Sequence, residues 1–308
     1  MANDMFRLSA WVDVLNCGYR WHTGRMVPHG DRGLSDEEKR AAGLRLLPAS
    51  ASPGGALRRY NPFETYPALF LNFSAIEPTE SGILDFANEY GCRWPKRGPM
   101  IGPCLLEYRM AIAEMQAAVS LWRSIRADDK EQLAQHVEWS GRKLRYLGPL
   151  AGSEINRSFH VTDAYKIGDL LAPAIDQLDY AIFSRTRCTT RFQPDRDSDG
   201  AVRVLFWIEE DFFTVLWCQL LLAVMGQSEF KQCAFCQRWF PLDAPAGKRR
   251  TREDRAFCSD SCRVRAHNKR RAKAEELYRL GKKLKEISKA TGTDIETVKN
   301  WISPPKEK

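Results

Sequence analysis

Four cysteines in the last quarter of this 308-residue chain are spaced for chemistry. Cys233-Ala-Phe-Cys236 and Cys258-Ser-Asp-Ser-Cys262 form two short pairs, with 21 residues between Cys236 and Cys258. Two such pairs within about thirty residues can close a tetrahedral four-sulfur site around zinc, with Zn–S bonds near ~2.3 Å. The first pair suits a knuckle, a tight turn that aims both sulfurs inward. The second suits a helix start. Ser259 can cap it, Asp260 favours the positive end of the helix dipole, and Cys262 faces back toward Cys258 from the first turn. The expected ligands are therefore Cys233, Cys236, Cys258 and Cys262, around a structural Zn2+. A closed four-sulfur site leaves no open position for water, so it predicts stability rather than catalysis.

Knuckle then helix is the order of a treble-clef finger, expected over residues 231–268. Phe235, Trp239, Phe240 and Phe257 can pack around a small metal centre. Two rival readings stand beside this one. A thioredoxin-like redox use of Cys233 and Cys236 leaves the second pair unexplained. His267 could be a ligand, but it lies five residues after Cys262, which on a helix turns it about 140° away. The other cysteines (Cys17, Cys92, Cys104, Cys188 and Cys218) sit in or beside apolar segments and read as reduced core residues. An odd total of nine argues against a disulfide framework.

These cysteines must be positioned by the segments that flank them. From Ser261 to Leu280 there is no Gly or Pro, which predicts one helix of about twenty residues, roughly 30 Å long. Arg263, Arg265, Lys269, Arg270, Arg271 and Lys273 crowd its first half, as phosphate contacts on nucleic acid would. A merely solvated face is the plain alternative. From Lys231 onward there are 21 Lys and Arg against 10 Asp and Glu; residues 1–230 hold 26 against 29. An asymmetry of this size suggests a nucleic-acid-binding end.

Beyond Gly281, Leu284, Ile287 and Ala290 mark a short amphipathic helix. Thr291-Gly292-Thr293 makes a turn, and Asp294 caps a second helix carrying Ile295, Val298, Trp301 and Ile302. Pro304-Pro305 ends it. Glu286-Ile287, Gly292, Thr297-Val298 and Trp301 resemble the helix-turn-helix units of bacterial resolvases and transposases. That resemblance implies that Glu296, Lys299 and Asn300 face the major groove of DNA. The wider stretch, through CAFCQRWF, FCSDSCRVRA and the basic helix, resembles bacterial proteins with a CGNR-type treble-clef finger, some described as stress-response transcription regulators. Cys262-Arg263-Val264-Arg265 stands where the tetrapeptide Cys-Gly-Asn-Arg would be. His267-Asn268 also invites comparison with His-Asn-His nucleases, which need a histidine on the preceding hairpin; residues 237–257 contain none.

The front of the chain is less informative. Residues 1–60 have no clear pattern, and 43–60 is rich in Pro, Gly, Ala and Ser, as a loop would be. Thr79 is expected to cap a helix that Gly91 stops. Leu105, Tyr108, Ile112, Met115, Val119 and Trp122 make one apolar helical stripe, read as core. Asp129 with Gln132 is expected to open a helix over 129–147, and another is expected over 163–182. Residues 189–207 read as a hairpin about Asp199-Gly200, feeding an apolar helix at 210–225. That helix is too short to span a membrane.

Histidines here (His22, His29, His136 and His160) are scattered, and no nucleophile elbow, Walker loop or dinucleotide fingerprint occurs. Glu107 and Glu114 read as surface or satisfied polar positions. No enzyme is therefore expected. The expectation is a cytoplasmic protein without an export signal, mainly α with some β. A helical sensor or dimerisation domain (61–230) precedes the finger, and a long helix joins the finger to a helix-turn-helix (261–303). It is expected to bind DNA sequence-specifically as a transcription regulator, as a homodimer. The alternatives are a nucleic-acid-binding subunit of a recombination, packaging or defence complex, or an enzyme with an unrecognised site in residues 1–230.

Overall fold

The computed structural model describes residues 6–9, 12–15, 18–23, 35–49, 57–92, 103–151, 159–160, 165–186, 190–196, 202–208, 212–226, 228–242 and 254–303. The chain divides into two compact units, with the first boundary between Glu229 and Phe230. Both are mainly helical with small sheets.

In the first unit the order is β1 (Phe6–Ser9), β2 (Val12–Leu15), β3 (Tyr19–Thr23), α1 (Asp36–Gly43), β4 (Leu44–Pro48), β5 (Leu57–Tyr60), α2 (Pro62–Thr65), α3 (Leu69–Ser74), α4 (Glu80–Tyr90) and α5 (Leu105–Ala127). Next come α6 (Lys130–Leu133), β6 (Val137–Ser140), β7 (Lys143–Tyr146), β8 (Phe159–His160), α7 (Leu171–Arg185), β9 (Thr190–Arg196), β10 (Val202–Ile208) and α8 (Phe212–Met225). Strand β10 pairs antiparallel with β9 and parallel with β1, Phe6 lying opposite Val204.

Helix α5 is the spine. All six residues of its expected stripe, from Leu105 to Trp122, are buried. Its N-terminus is closed by a capping box: the Cys104 sulfur accepts from the Glu107 N–H, and the Glu107 carboxylate accepts from the Cys104 N–H. Against α5 pack α1, α3, α7 and α8. Aromatic rings fill the space between them: Phe73 meets Phe86, Phe212 and Phe213 edge-on or tilted. Helix α8 is buried along most of its length, Gln219 included. The Gln219 amide is satisfied there. Its oxygen accepts from the Phe70 N–H at 3.1 Å, and its NH2 donates to the carbonyls of Pro62 and Tyr66 at 3.0 and 2.9 Å. Among the described residues no helix is long and apolar enough to cross a membrane.

Local signals locate helix starts better than helix lengths. Thr79 caps α4 and Gly91, at φ 81°, stops it. Asp129 does cap a helix, accepting from the Gln132 N–H, but α6 ends after one turn and the expected helix over 129–147 becomes the β6–β7 hairpin. Val137 and Trp139 alternate in β6 and Leu144 and Tyr146 in β7, a period of two. Gly141, at φ 62°, supplies the positive φ that a two-residue hairpin turn demands. The helix expected over 163–182 begins only at Leu171. The segment 43–60, read as a loop, contains strands β4 and β5, and residues 1–60 contribute β1 to β5 and α1. The hairpin read over 189–207 is β9–β10; its Asp199-Gly200 turn lies outside the described residues.

The second unit comprises β11 (Phe230–Gln232), β12 (Trp239–Pro241), α9 (Asp260–Arg279), α10 (Leu284–Thr291) and α11 (Ile295–Ile302). Strands β11 and β12 pair as a hairpin, Gln232 opposite Trp239. Ala274, Ile287 and Val298, one from each helix, are fully buried together, with Leu277, Leu284, Trp301 and Ile302 around them.

Candidate metal centre and nucleic-acid surface

The β11–β12 turn positions the first cysteine pair. The Cys233 N–H donates to the Arg238 carbonyl at 2.8 Å, and the Gln237 N–H donates to the Cys233 carbonyl at 2.9 Å. The turn closes by placing Gln237 at φ 60°, a left-handed conformation that residues with a Cβ rarely adopt. The start of α9 positions the second pair. The Ser259 hydroxyl accepts from the Cys262 N–H at 3.2 Å, which sets Cys262 one turn from Cys258.

The four thiols converge. Their sulfurs all lie within 4.8 Å of one another. Cys258 and Cys262 are 3.5 Å apart, and Cys236 and Cys258 are 3.7 Å apart. A tetrahedron with bonds of ~2.3 Å has edges of about 3.8 Å, so the spacing matches ligands around one ion. All four thiols are free, and the separations are far longer than a disulfide bond. Cys233 is buried and the other three are half-buried.

Burial works against ionising Cys233, yet the backbone N–H groups of Cys236, Cys258 and Phe235, with the Cys236 thiol, bring it down to about 6. Burial pushes Cys236 up to about 12, helped by the neighbouring Cys233 and Cys258 thiols, and Cys258 is raised by burial and by Cys262. Of these three thiols, Cys233 ionises most readily, and Cys236 and Cys258 resist ionisation. A divalent cation reverses that balance and takes the thiols as thiolates. These four cysteines can hold a metal ion, and an all-sulfur tetrahedral set favours a soft one.

Arg255 belongs to no motif, and no spacing marks it. Its guanidinium stacks over the Phe240 ring at 5.2 Å, donates to the Phe257 carbonyl at 2.8 Å, and donates also to the Cys258 carbonyl. It fastens the segment entering α9 to the hairpin. His267 is exposed on α9, outside the sulfur cluster, and packs against Trp301 instead.

All six cations expected to meet phosphate are exposed on α9. They do not share one face. At 100° per residue, Arg265, Lys269 and Lys273 form one row at i, i+4 and i+8, about 12 Å long. Arg263 and Arg270 lie along the row leading to buried Ala274, and Arg271 lies on a third side. Arg263 pairs with Asp260 at 3.2 Å and Arg271 with Glu275 at 2.8 Å.

The turn between α10 and α11 is closely tied. Gly292 takes φ 61° as the C-cap, the Ser288 hydroxyl donates to the Thr293 carbonyl at 2.6 Å, and the buried Thr291 hydroxyl donates to the Ile287 carbonyl at 2.8 Å. Asp294 caps α11, accepting from the Thr297 N–H at 2.8 Å, and that bond holds its carboxyl below the usual range. Glu296, Lys299 and Asn300 are exposed, spaced i, i+3 and i+4 on the face opposite Val298.

In the first unit, Glu107 caps α5, and Glu114 forms an ion pair at 2.7 Å with Arg185, whose guanidinium lies 4.9 Å from the Trp217 ring. Cys92, Cys104 and Cys218 are buried; Cys17 and Cys188 lie outside the described residues. Comparison with protein-family models, with curated proteins and with solved structures found no match to this chain.

Proposed function

We propose that this chain is a sequence-specific DNA-binding protein of the transcription-regulator kind, built on a structural zinc site. Zinc would be held by Cys233, Cys236, Cys258 and Cys262, and its part would be to fix the start of α9 to the β11–β12 hairpin. The observation that carries the DNA reading is the shared core of Ala274, Ile287 and Val298. It leaves the Glu296, Lys299 and Asn300 face of α11 outward, while α9 presents the Arg265, Lys269 and Lys273 row. Cations in a row suit phosphates, and mixed polar side chains at i, i+3 and i+4 suit base edges.

The test is fluorescence anisotropy of the full zinc-loaded chain with labelled duplex DNA, followed by selection from random duplexes. Binding that weakens steeply with salt, together with a recovered consensus, supports the reading. No duplex affinity at low salt sinks it.

A further inference from the structure

A groove of about 510 Å3 opens in the first unit between α5, α7 and α8, lined chiefly by Trp122, Ile125, Ile175, Ile182, Leu221 and Met225. Several large apolar side chains on α7 and α8 are exposed in or next to it. Met225 is 73% exposed, the most of any large apolar side chain among the described residues; Phe183 is 56%, Ile175 46% and Leu222 43% exposed. Scattered apolar residues need no explanation, but a contiguous set marks a contact surface. Ile175 and Phe183 are eight residues apart on one row of α7, about 12 Å along the helix. The patch thus continues past the groove onto protruding side chains, which a small molecule seated in the groove would not cover.

The rim carries one charge of each sign. Arg126 lines the groove from α5 and Asp179 from α7. Arg126 is held in place: its guanidinium lies 5.5 Å from the Trp122 ring and donates to the Ser228 carbonyl at 3.0 Å. A partner that sets an acid against Arg126 and a base against Asp179 would complement both charges. This surface itself offers both, which is the self-complementarity a two-fold contact requires.

We infer that the groove receives a second copy of the chain. Met225 of each protomer enters the apolar groove of the other, and Arg126 of each faces Asp179 of the other. The inference does not depend on DNA binding.

Sedimentation equilibrium of the full zinc-loaded chain tests it. The expected wild-type mass at tens of micromolar is that of two chains. Arg126→Glu and Asp179→Arg should each weaken pairing by about tenfold or more, because like charges then meet twice. Mixed in equal amounts, the two variants should pair with each other at near wild-type affinity, since every acid again faces a base. Met225→Ser, an exposed change, should weaken pairing without altering the circular dichroism of the fold. A wild-type chain that stays monomeric overturns the inference. So does a dimer indifferent to both charge reversals, or two variants that stay weak when mixed.

Discussion

The His267 ring of α9 meets the Trp301 ring of α11 edge-on, with centroids 5.2 Å apart and planes at 89°. A histidine five residues beyond Cys262 therefore joins the first and last helices of the second unit instead of completing a metal site. Aromatic pairs of this kind contribute about 1 kcal/mol beyond the area they bury. His267→Ala should lower stability by about that amount in urea denaturation. Metal bound per chain should stay unchanged, whereas Cys258→Ser should lower it. A fall in metal content with His267→Ala would return the histidine to the ligand set.

Gln237 offers a test in the opposite direction. Its φ of 60° is imposed by the tight turn that brings Cys233 and Cys236 together. A left-handed residue with a Cβ carries roughly 1–2 kcal/mol of strain, part of which glycine removes. Gln237→Gly should therefore stabilise the metal-loaded protein by about 0.5–1 kcal/mol. Equal or lower stability would mean that the Gln237 side chain makes a contact worth more than the strain.

The chemistry of neighbours along the chain is legible in the sequence. Ser259, Asp294, Gly292 and Thr79 each act on residues within a turn of themselves, so caps and turns can be read, and with them the cysteine spacing. Element length is harder to read. Asp129 and Gln132 make a sound helix start, but residues 137–146 alternate with period two, and Val137 and Leu144 find partners across a hairpin. Pairings such as β1 with β10 join segments from opposite ends of the unit, and nothing local in Phe6–Ser9 announces them. Arg255 is illegible for another reason. No spacing rule marks an arginine that stacks on a distant Phe240, and only the folded hairpin supplies that ring.

Gln219 is a buried polar side chain within the apolar helix α8. Replacing it with leucine keeps the volume but withdraws the acceptor from the Phe70 N–H and the donor from the Pro62 and Tyr66 carbonyls. Leaving one buried backbone group without this partner costs about 1–3 kcal/mol. Gln219→Leu should lower the urea midpoint by a corresponding amount, despite the gain in hydrophobicity. An unchanged or raised midpoint would show the amide to be dispensable.

His136 sets an acid limit on the first unit. Burial lowers its pKa from the usual 6.5, so it resists protonation when folded and accepts a proton more easily once unfolded. Below about 6.5 the unfolded chain binds more protons at this site, and stability must fall as pH falls through that range. Above it the contribution is constant. His136→Gln should flatten the stability profile as pH falls below about 6.5, relative to wild type. Parallel profiles for the two proteins would assign the acid sensitivity elsewhere.

The two exposed sets of the second unit should separate in their effect on DNA. Arg265 and Lys269 belong to one row of α9, and a cation on phosphate binds every sequence alike. Changing both to alanine should weaken all duplexes uniformly and reduce the slope of log affinity against log salt by about 2. Lys299 and Asn300 lie on the outer face of α11, where a side chain that hydrogen-bonds a base edge discriminates by about 1–3 kcal/mol per pair. Asn300→Ala should therefore narrow the gap between selected and random duplexes and leave random-duplex affinity nearly untouched. If both changes act alike on selected and random sequences, α11 does not read bases, and the second unit is a general polyanion-binding module.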